Sequence, residues 1–154
     1  MRVVVGGDTR MVLPNSPLID VLRKTSLFSG LTESELQALA NGTTVRSCGS
    51  GEILFSEGEP CAGLYVVVAG RVRIFNVSSS GREQVLAIEG PGGSIAELPV
   101  FDGGVYPASV TAIESSELLF ISRKDCRSFC LEHPEVALNV LQVVGARLRR
   151  LVGI

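Results

Sequence analysis

One carboxylate in this chain stands apart from the others by its company. Glu97 lies within Gly93–Ala112, GSIAELPVFDGGVYPASVTA, with Ile95, Leu98, Val100 and Phe101 around it. An acid inside an apolar run is costly to bury unless donors meet it, so it marks either a ligand site or a donor-rich backbone. The alternative is an acid on the solvent face of a strand. Among the remaining reactive types there are four cysteines, Cys48, Cys61, Cys126 and Cys130, and one histidine, His133. Cys126 and Cys130 share a helical face and would make half of a metal site, but neither a matching Cys-x-x-Cys pair nor a second histidine completes it, so no metal is expected. The chain has no recognisable Ser/His/Asp set, Gly-x-x-x-x-Gly-Lys loop or pair of metal-binding carboxylates, and an enzyme is not expected.

Composition narrows the class further. With 154 residues the chain suffices for one domain with a proper core. Hydrophobic residues make up 45% and charged residues 19%, as in a folded globular protein. The net charge of −2 gives no dominant basic surface for nucleic acid or an anionic membrane. The longest apolar run, Leu64–Ala69, is far short of the roughly 20 residues that cross a bilayer. No signal peptide is recognisable over Met1–Pro14, and a cytoplasmic setting with reduced thiols is expected.

The elements that must position Glu97 follow from the grammar of the chain. Residues 1–16 form a lead-in without periodic pattern, expected to be flexible. Pro17–Lys24 spaces Leu18, Val21 and Leu22 for a helix, and Ser26–Leu31 is a turn with apolar anchors. Thr32 and Glu35 make a capping-box pattern for a second helix with Leu36 and Leu39 inward, stopped at Asn41-Gly42. From Thr43 the pattern becomes short β-branched runs: Thr43–Cys48, Glu52–Phe55, Leu64–Val68, Arg71–Val77, Gln84–Glu89, Pro107–Ile113 and Glu117–Ile121. Glycine and proline punctuate them, which predicts an antiparallel sandwich or barrel. Gly70 reads as a tight hairpin, and Ser78–Gly81 as a second one between Phe75 and Val85.

Helices return at the end. Ser122 caps one with Asp125 at its third position and Phe129 and Leu131 on its apolar face. His133-Pro134 ends it, and Pro134 opens a last helix reaching about Val152. Ala137, Leu141, Val144, Leu148 and Leu151 follow the 4-3-4-3 spacing of a coiled-coil seam, with Val136, Val140 and Val143 as a second stripe beside it. Either one stripe packs on the strands and the other meets a second copy of the helix, or both form one wide face against the domain.

Taken together, these motifs resemble a cyclic-nucleotide-binding domain, specifically the N-terminal sensor half of the Crp/Fnr family of bacterial transcription regulators. The resemblance covers about residues 17–154. It rests on Ser26-Leu27-Phe28 with Leu31, Gly51–Phe55 followed by Glu57-Gly58, Leu64–Val67 with Gly70, Val72 and Ile74, Ile95–Leu98, Ala108–Ala112, and Arg147-Leu148. It implies a mainly β fold: an antiparallel double-stranded β-helix, or jelly roll, over about 43–121, with N-terminal helices before it and C-terminal helices over 122–153. The last of these is of dimerisation type.

The resemblance also implies a site. Gly93–Ala112 corresponds to the phosphate-binding cassette, whose short helix aims N–H groups at a cyclic phosphate. Its ligand-binding positions are Ile95, Ala96, Glu97, Leu98, Tyr106, Pro107, Ala108 and Ser109, with Glu97 matching the acid that accepts from the ribose 2′-hydroxyl. Ala96 replaces the usual glycine. Tyr106 stands where the family has the arginine that pairs with the phosphate, and Pro107 after it has no N–H. Leu151 and Val152 fall at positions of polar base contacts. Cyclic AMP or cyclic GMP is the ligand the family implies, and Tyr106 argues against it; Arg71, Arg73 and Arg82 are the candidates for a replacement cation.

The expected function is thus a non-catalytic, effector-sensing domain that forms a homodimer and relays ligand state through its last helix. No helix-turn-helix is recognisable in the chain, so DNA contact is expected only through a C-terminal domain outside it. The alternatives are a stand-alone cyclic-nucleotide receptor module and an interaction roll without a ligand.

Overall fold

The computed structural model describes residues 2–5, 8–11 and 15–153, with side chains from Pro17 onward. Strands β1 (Arg2–Val5) and β2 (Asp8–Met11) pair antiparallel within the stretch read from sequence as a lead-in without periodic pattern. Helix α1 (Asn15–Lys24) starts two residues before the expected Pro17. A single 3-10 turn, Ser26–Phe28, leads to α2 (Glu33–Asn41). The Thr32/Glu35 capping box closes as anticipated: the Glu35 N–H donates to the Thr32 hydroxyl, and the Thr32 N–H donates to the Glu35 carboxylate.

The β-roll is built from β3 (Thr43–Cys48), β4 (Ile53–Phe55), β5 (Gly63–Ala69), β6 (Val72–Val77), β7 (Glu83–Glu89), β8 (Ser94–Ile95), β9 (Ser109–Ala112) and β10 (Ser116–Ser122). Two antiparallel sheets face each other, one ordered β1-β2-β3-β10-β5-β8 and the other β4-β9-β6-β7. The unbroken apolar run of β5 lies between β10 and the short edge strand β8 and is buried from Gly63 through Val67, as expected for a strand covered on both faces. Leu64, Val66, Val72, Val110, Leu118 and Ile121 are among the fully enclosed side chains.

The hairpin at Ser78–Gly81 is present, with Phe75 opposite Val85. The hairpin at Gly70 is not. β5 pairs with β10 and β8, whereas β6 pairs with β7 and β9, so Gly70 turns the chain from one sheet into the other. Its φ of +88° and the closeness of Ser116 make glycine necessary there, because a Cβ would lie 2.2 Å from the Ser116 hydroxyl oxygen. A tight hairpin and a corner share the same glycine signal, and only strand pairing separates them.

Between β8 and β9 lies a one-and-a-half-turn helix, α3 (Glu97–Asp102). The roll is followed by α4 (Arg123–Glu132), capped by Ser122, and by α5 (Pro134–Val152), opened by Pro134 as expected. Phe129 of α4 is buried, but Leu131 is 83% exposed and does not belong to the inward face. On α5 the two stripes separate. Val136 and Val140 are buried, Val143 and the seam residue Val144 pack against the core, and Leu141, Leu148 and Leu151 are exposed. His133, at the joint of α4 and α5, places its Nδ1 2.7 Å from Glu35 and packs its ring, tilted, against Phe129. No helix among the described residues is long and apolar enough to cross a membrane.

Candidate effector-binding cavity

Glu97 is 2% exposed, so the reading that puts it on a solvent face is excluded. It is the first residue of α3, immediately after Ala96, whose φ of +75° is the one left-handed value at a non-glycine residue among those described. That conformation explains why glycine suits the position, and the chain holds alanine there at a steric cost. The turn aims the carboxylate inward, where two partners meet it. The Ser94 hydroxyl donates to Oε1, and an Arg147 guanidinium N–H donates to Oε2 at 2.5 Å. Arg147 also donates to the Ser94 carbonyl at 2.7 Å and to Glu89 at 3.3 Å. Burial pushes the Glu89 carboxyl up, against the pull of the same guanidinium.

Arg147 belongs to α5, so this cluster joins the last helix to β8 and α3. Sequence reading places Arg147 only as part of a family Arg-Leu pair. The signal for its role is its position: it continues the buried stripe Val136, Val140, Val143 at 4-3-4 spacing, and a cation on a buried stripe needs an anion.

Above the cluster opens a cavity of about 460 Å3, walled by the second sheet, α3, the segment Tyr106–Ala108 and α5. Of the expected ligand positions, Ile95, Ala96, Glu97, Leu98, Tyr106, Pro107 and Ala108 line it. Ser109 does not: its hydroxyl accepts from the Glu57 N–H on the outside of the roll. Of the seam residues, Val144, Leu148 and Leu151 reach the cavity, and Ala137 and Leu141 are not part of its wall.

Tyr106 lines the cavity with its ring and not with its hydroxyl. The ring stacks on Phe55 at 3.7 Å between centroids. The phenolic oxygen accepts from the N–H groups of Ala62 at 3.0 Å and Gly63 at 3.4 Å, and its O–H donates to the Gly63 carbonyl at 3.4 Å. Burial pushes this phenol up to about 12, though those N–H groups pull the other way. The hydroxyl donor that sequence reading offers to a ligand is therefore spent inside the roll. The replacement cations are engaged elsewhere as well. Arg71 pairs with Glu114, Arg73 pairs with Glu83 and lies over the Phe75 ring, and neither they nor Arg82 line the cavity.

The family model described as the cyclic nucleotide-binding domain matches residues 45–133, more than half of the chain. The chain belongs to that family. It is similar to a CRP-like cAMP-activated global transcriptional regulator of Mycobacterium tuberculosis, 33% identical over 131 residues, which are 85% of this chain and 58% of the relative. Its fold is similar to the crystal structure of the Thermus thermophilus catabolite activator protein, with a TM-score of 0.77 at 33% identity, covering 82% of this chain and 59% of that one. It is likewise similar to the N-terminal domain of a transcriptional regulator from Streptomyces coelicolor A3(2), TM-score 0.71 at 36% identity, covering 87% of this chain and 94% of that one. The chain thus spans less than two thirds of the length of the mycobacterial relative and of the Thermus protein.

As a cyclic nucleotide-binding domain this chain keeps the β-roll, the short helix with its acid, and the Arg-Leu pair on the last helix. The jelly-roll architecture expected from the sequence is the one observed. Burial pushes the thiols of Cys48, Cys61, Cys126 and Cys130 all up, away from the thiolate form. A second grouping that sequence reading misses, Glu35, His133 and Glu135, has its ligand atoms within 4.8 Å of one another. Glu35 is already held there by its capping box and by His133, which makes the group a latch between α2 and α5.

Proposed function

We propose that this domain is the non-catalytic, effector-sensing part of a Crp/Fnr-type transcription regulator. A small molecule enters the cavity, and its presence is relayed through α5 to a segment that contacts DNA. The observation that carries this reading is the Glu97–Arg147 pair, which ties the cavity wall in α3 directly to α5. A ligand that shifts α3 must either move α5 or strain that pair.

The exposed seam of α5 supports a homodimer. Leu141, Leu148 and Leu151 form an apolar stripe along a 19-residue helix whose other stripe is already used. Sedimentation velocity of the chain should show a concentration-dependent dimer, and Leu141→Glu should leave it monomeric. A chain that stays monomeric at high concentration would contradict this arrangement.

A second reading, in which the effector is cyclic AMP or cyclic GMP, is favoured by the retained acid Glu97 at the start of α3 and by the regulators the chain resembles. Titration calorimetry against both nucleotides tests it. Micromolar binding that disappears in Glu97→Ala is the outcome that reading requires.

A further inference from the structure

The chemistry of the cavity wall narrows the effector. Thirteen of its seventeen lining residues are aliphatic, proline or phenylalanine, and Tyr106 turns its hydroxyl away. The polar side chains left are Asn76, Glu97 and Arg147. Glu97 and Arg147 neutralise each other, so the wall carries no spare charge. An anion such as a cyclic phosphate would have to leave water for a site with no free cation among the described residues, which is unfavourable. Two backbone donors are missing as well, because Pro99 in the first turn of α3 and Pro107 have no N–H.

The rim points the same way. Leu86 on β7, Leu98 on α3, and Leu148 and Leu151 on α5 all line the cavity, and each is roughly half exposed or more. An apolar molecule would cover Leu86 and Leu98 and meet the cavity side of Leu148 and Leu151, which the dimer stripe shares, and so hold three separate elements together. The Asn76 side-chain oxygen is shut off from water and so from a ligand in the cavity, and adds no polar partner there. The cavity volume lies within the ~300–1,000 Å3 range of small-molecule sites.

Resting on the sensor reading above, we propose that the effector is a small, uncharged, largely apolar molecule, and not a cyclic nucleotide. Such a ligand clamps α3 and β7 against α5 without needing a phosphate site.

N-phenyl-1-naphthylamine is a suitable probe, being neutral, aromatic and fluorescent in apolar surroundings. Titrated into the full chain, it should bind saturably at one site per chain, and millimolar cyclic AMP or cyclic GMP should not displace it. Ala108→Trp, which fills the cavity, should abolish binding. Because Ala108 is buried, Leu98→Asp on the exposed rim serves as a second variant that leaves the core intact, and it should weaken binding at least about tenfold. Dye binding unchanged in Leu98→Asp and Ala108→Trp would overturn the proposal. Displacement of the dye by micromolar cyclic AMP, lost in Glu97→Ala, would overturn it while leaving the sensor reading standing. Binding of neither dye nor nucleotide would overturn both.

Discussion

Arg147 reaches from the last helix to the buried carboxylate of Glu97, 2.5 Å away and fifty residues earlier in the chain. The pair sits at the boundary between roll and helix, with the Glu97 side chain 3% exposed and that of Arg147 31% exposed. Removing one partner leaves the other charge without compensation in a site that water barely reaches. Arg147→Ala should therefore cost on the order of 3 kcal/mol in urea unfolding. Glu97→Gln combined with Arg147→Met should cost less than the two single changes added together. Strict additivity would show that the pair does not couple the two elements.

Ala96 holds a backbone conformation that suits glycine. Ala96→Gly relieves it, at the expense of a more flexible unfolded chain, and the net expectation is a gain of up to about 1 kcal/mol. The denaturant midpoint should rise with no change in slope; a fall in the midpoint would mean that the alanine methyl contributes more through packing on the cavity wall.

Tyr106 accepts from two backbone N–H groups at the start of β5, those of Ala62 and Gly63. Tyr106→Phe keeps the stack on Phe55 but strands those donors, so stability should drop by about 1–3 kcal/mol. The phenol is raised in the folded state to about 12 from the usual ~10. Its contribution is thus fully present below the lower value and is lost as pH rises through the higher one. Wild-type unfolding should show this alkaline loss and Tyr106→Phe should not. Equal alkaline slopes would place the titration elsewhere.

Glu89 works in the opposite part of the pH scale. Burial raises its carboxyl, so the stability linked to its protonation is present below its unfolded value and lost as pH rises through the folded one. Glu89→Gln should be at least as stable as wild type at neutral pH, with the difference closing in acid. A clear loss at pH 7 would show that its ion pair with Arg147 outweighs the cost of burial.

Much of the fold is legible because its signals are local. The Thr32/Glu35 box, the Ser122 cap, Pro134 at the start of α5 and the β-branched run of β3 each act within a few residues, and the structure keeps them. Glu97 is legible too, as an acid in apolar company. What could not be read depends on which distant segments meet. Gly70 at a hairpin and Gly70 at a corner look alike until β5 is seen to pair with β10. The Tyr106 hydroxyl is assigned to a ligand by position alone, because the competing donors at Ala62 and Gly63 lie more than forty residues away. At the N-terminus a signal existed and was too short to weigh: Val3–Val5 and Thr9–Met11 flank Gly6-Gly7, the pattern of a hairpin.

The central claim is that occupancy of the cavity is transmitted to α5 through Glu97 and Arg147. Hydrogen exchange along α5, with and without saturating N-phenyl-1-naphthylamine, tests it most directly. The account predicts slower exchange over residues 143–152 when the dye is bound, with the effect lost in Arg147→Gln. Saturable binding that leaves α5 exchange unchanged would contradict it.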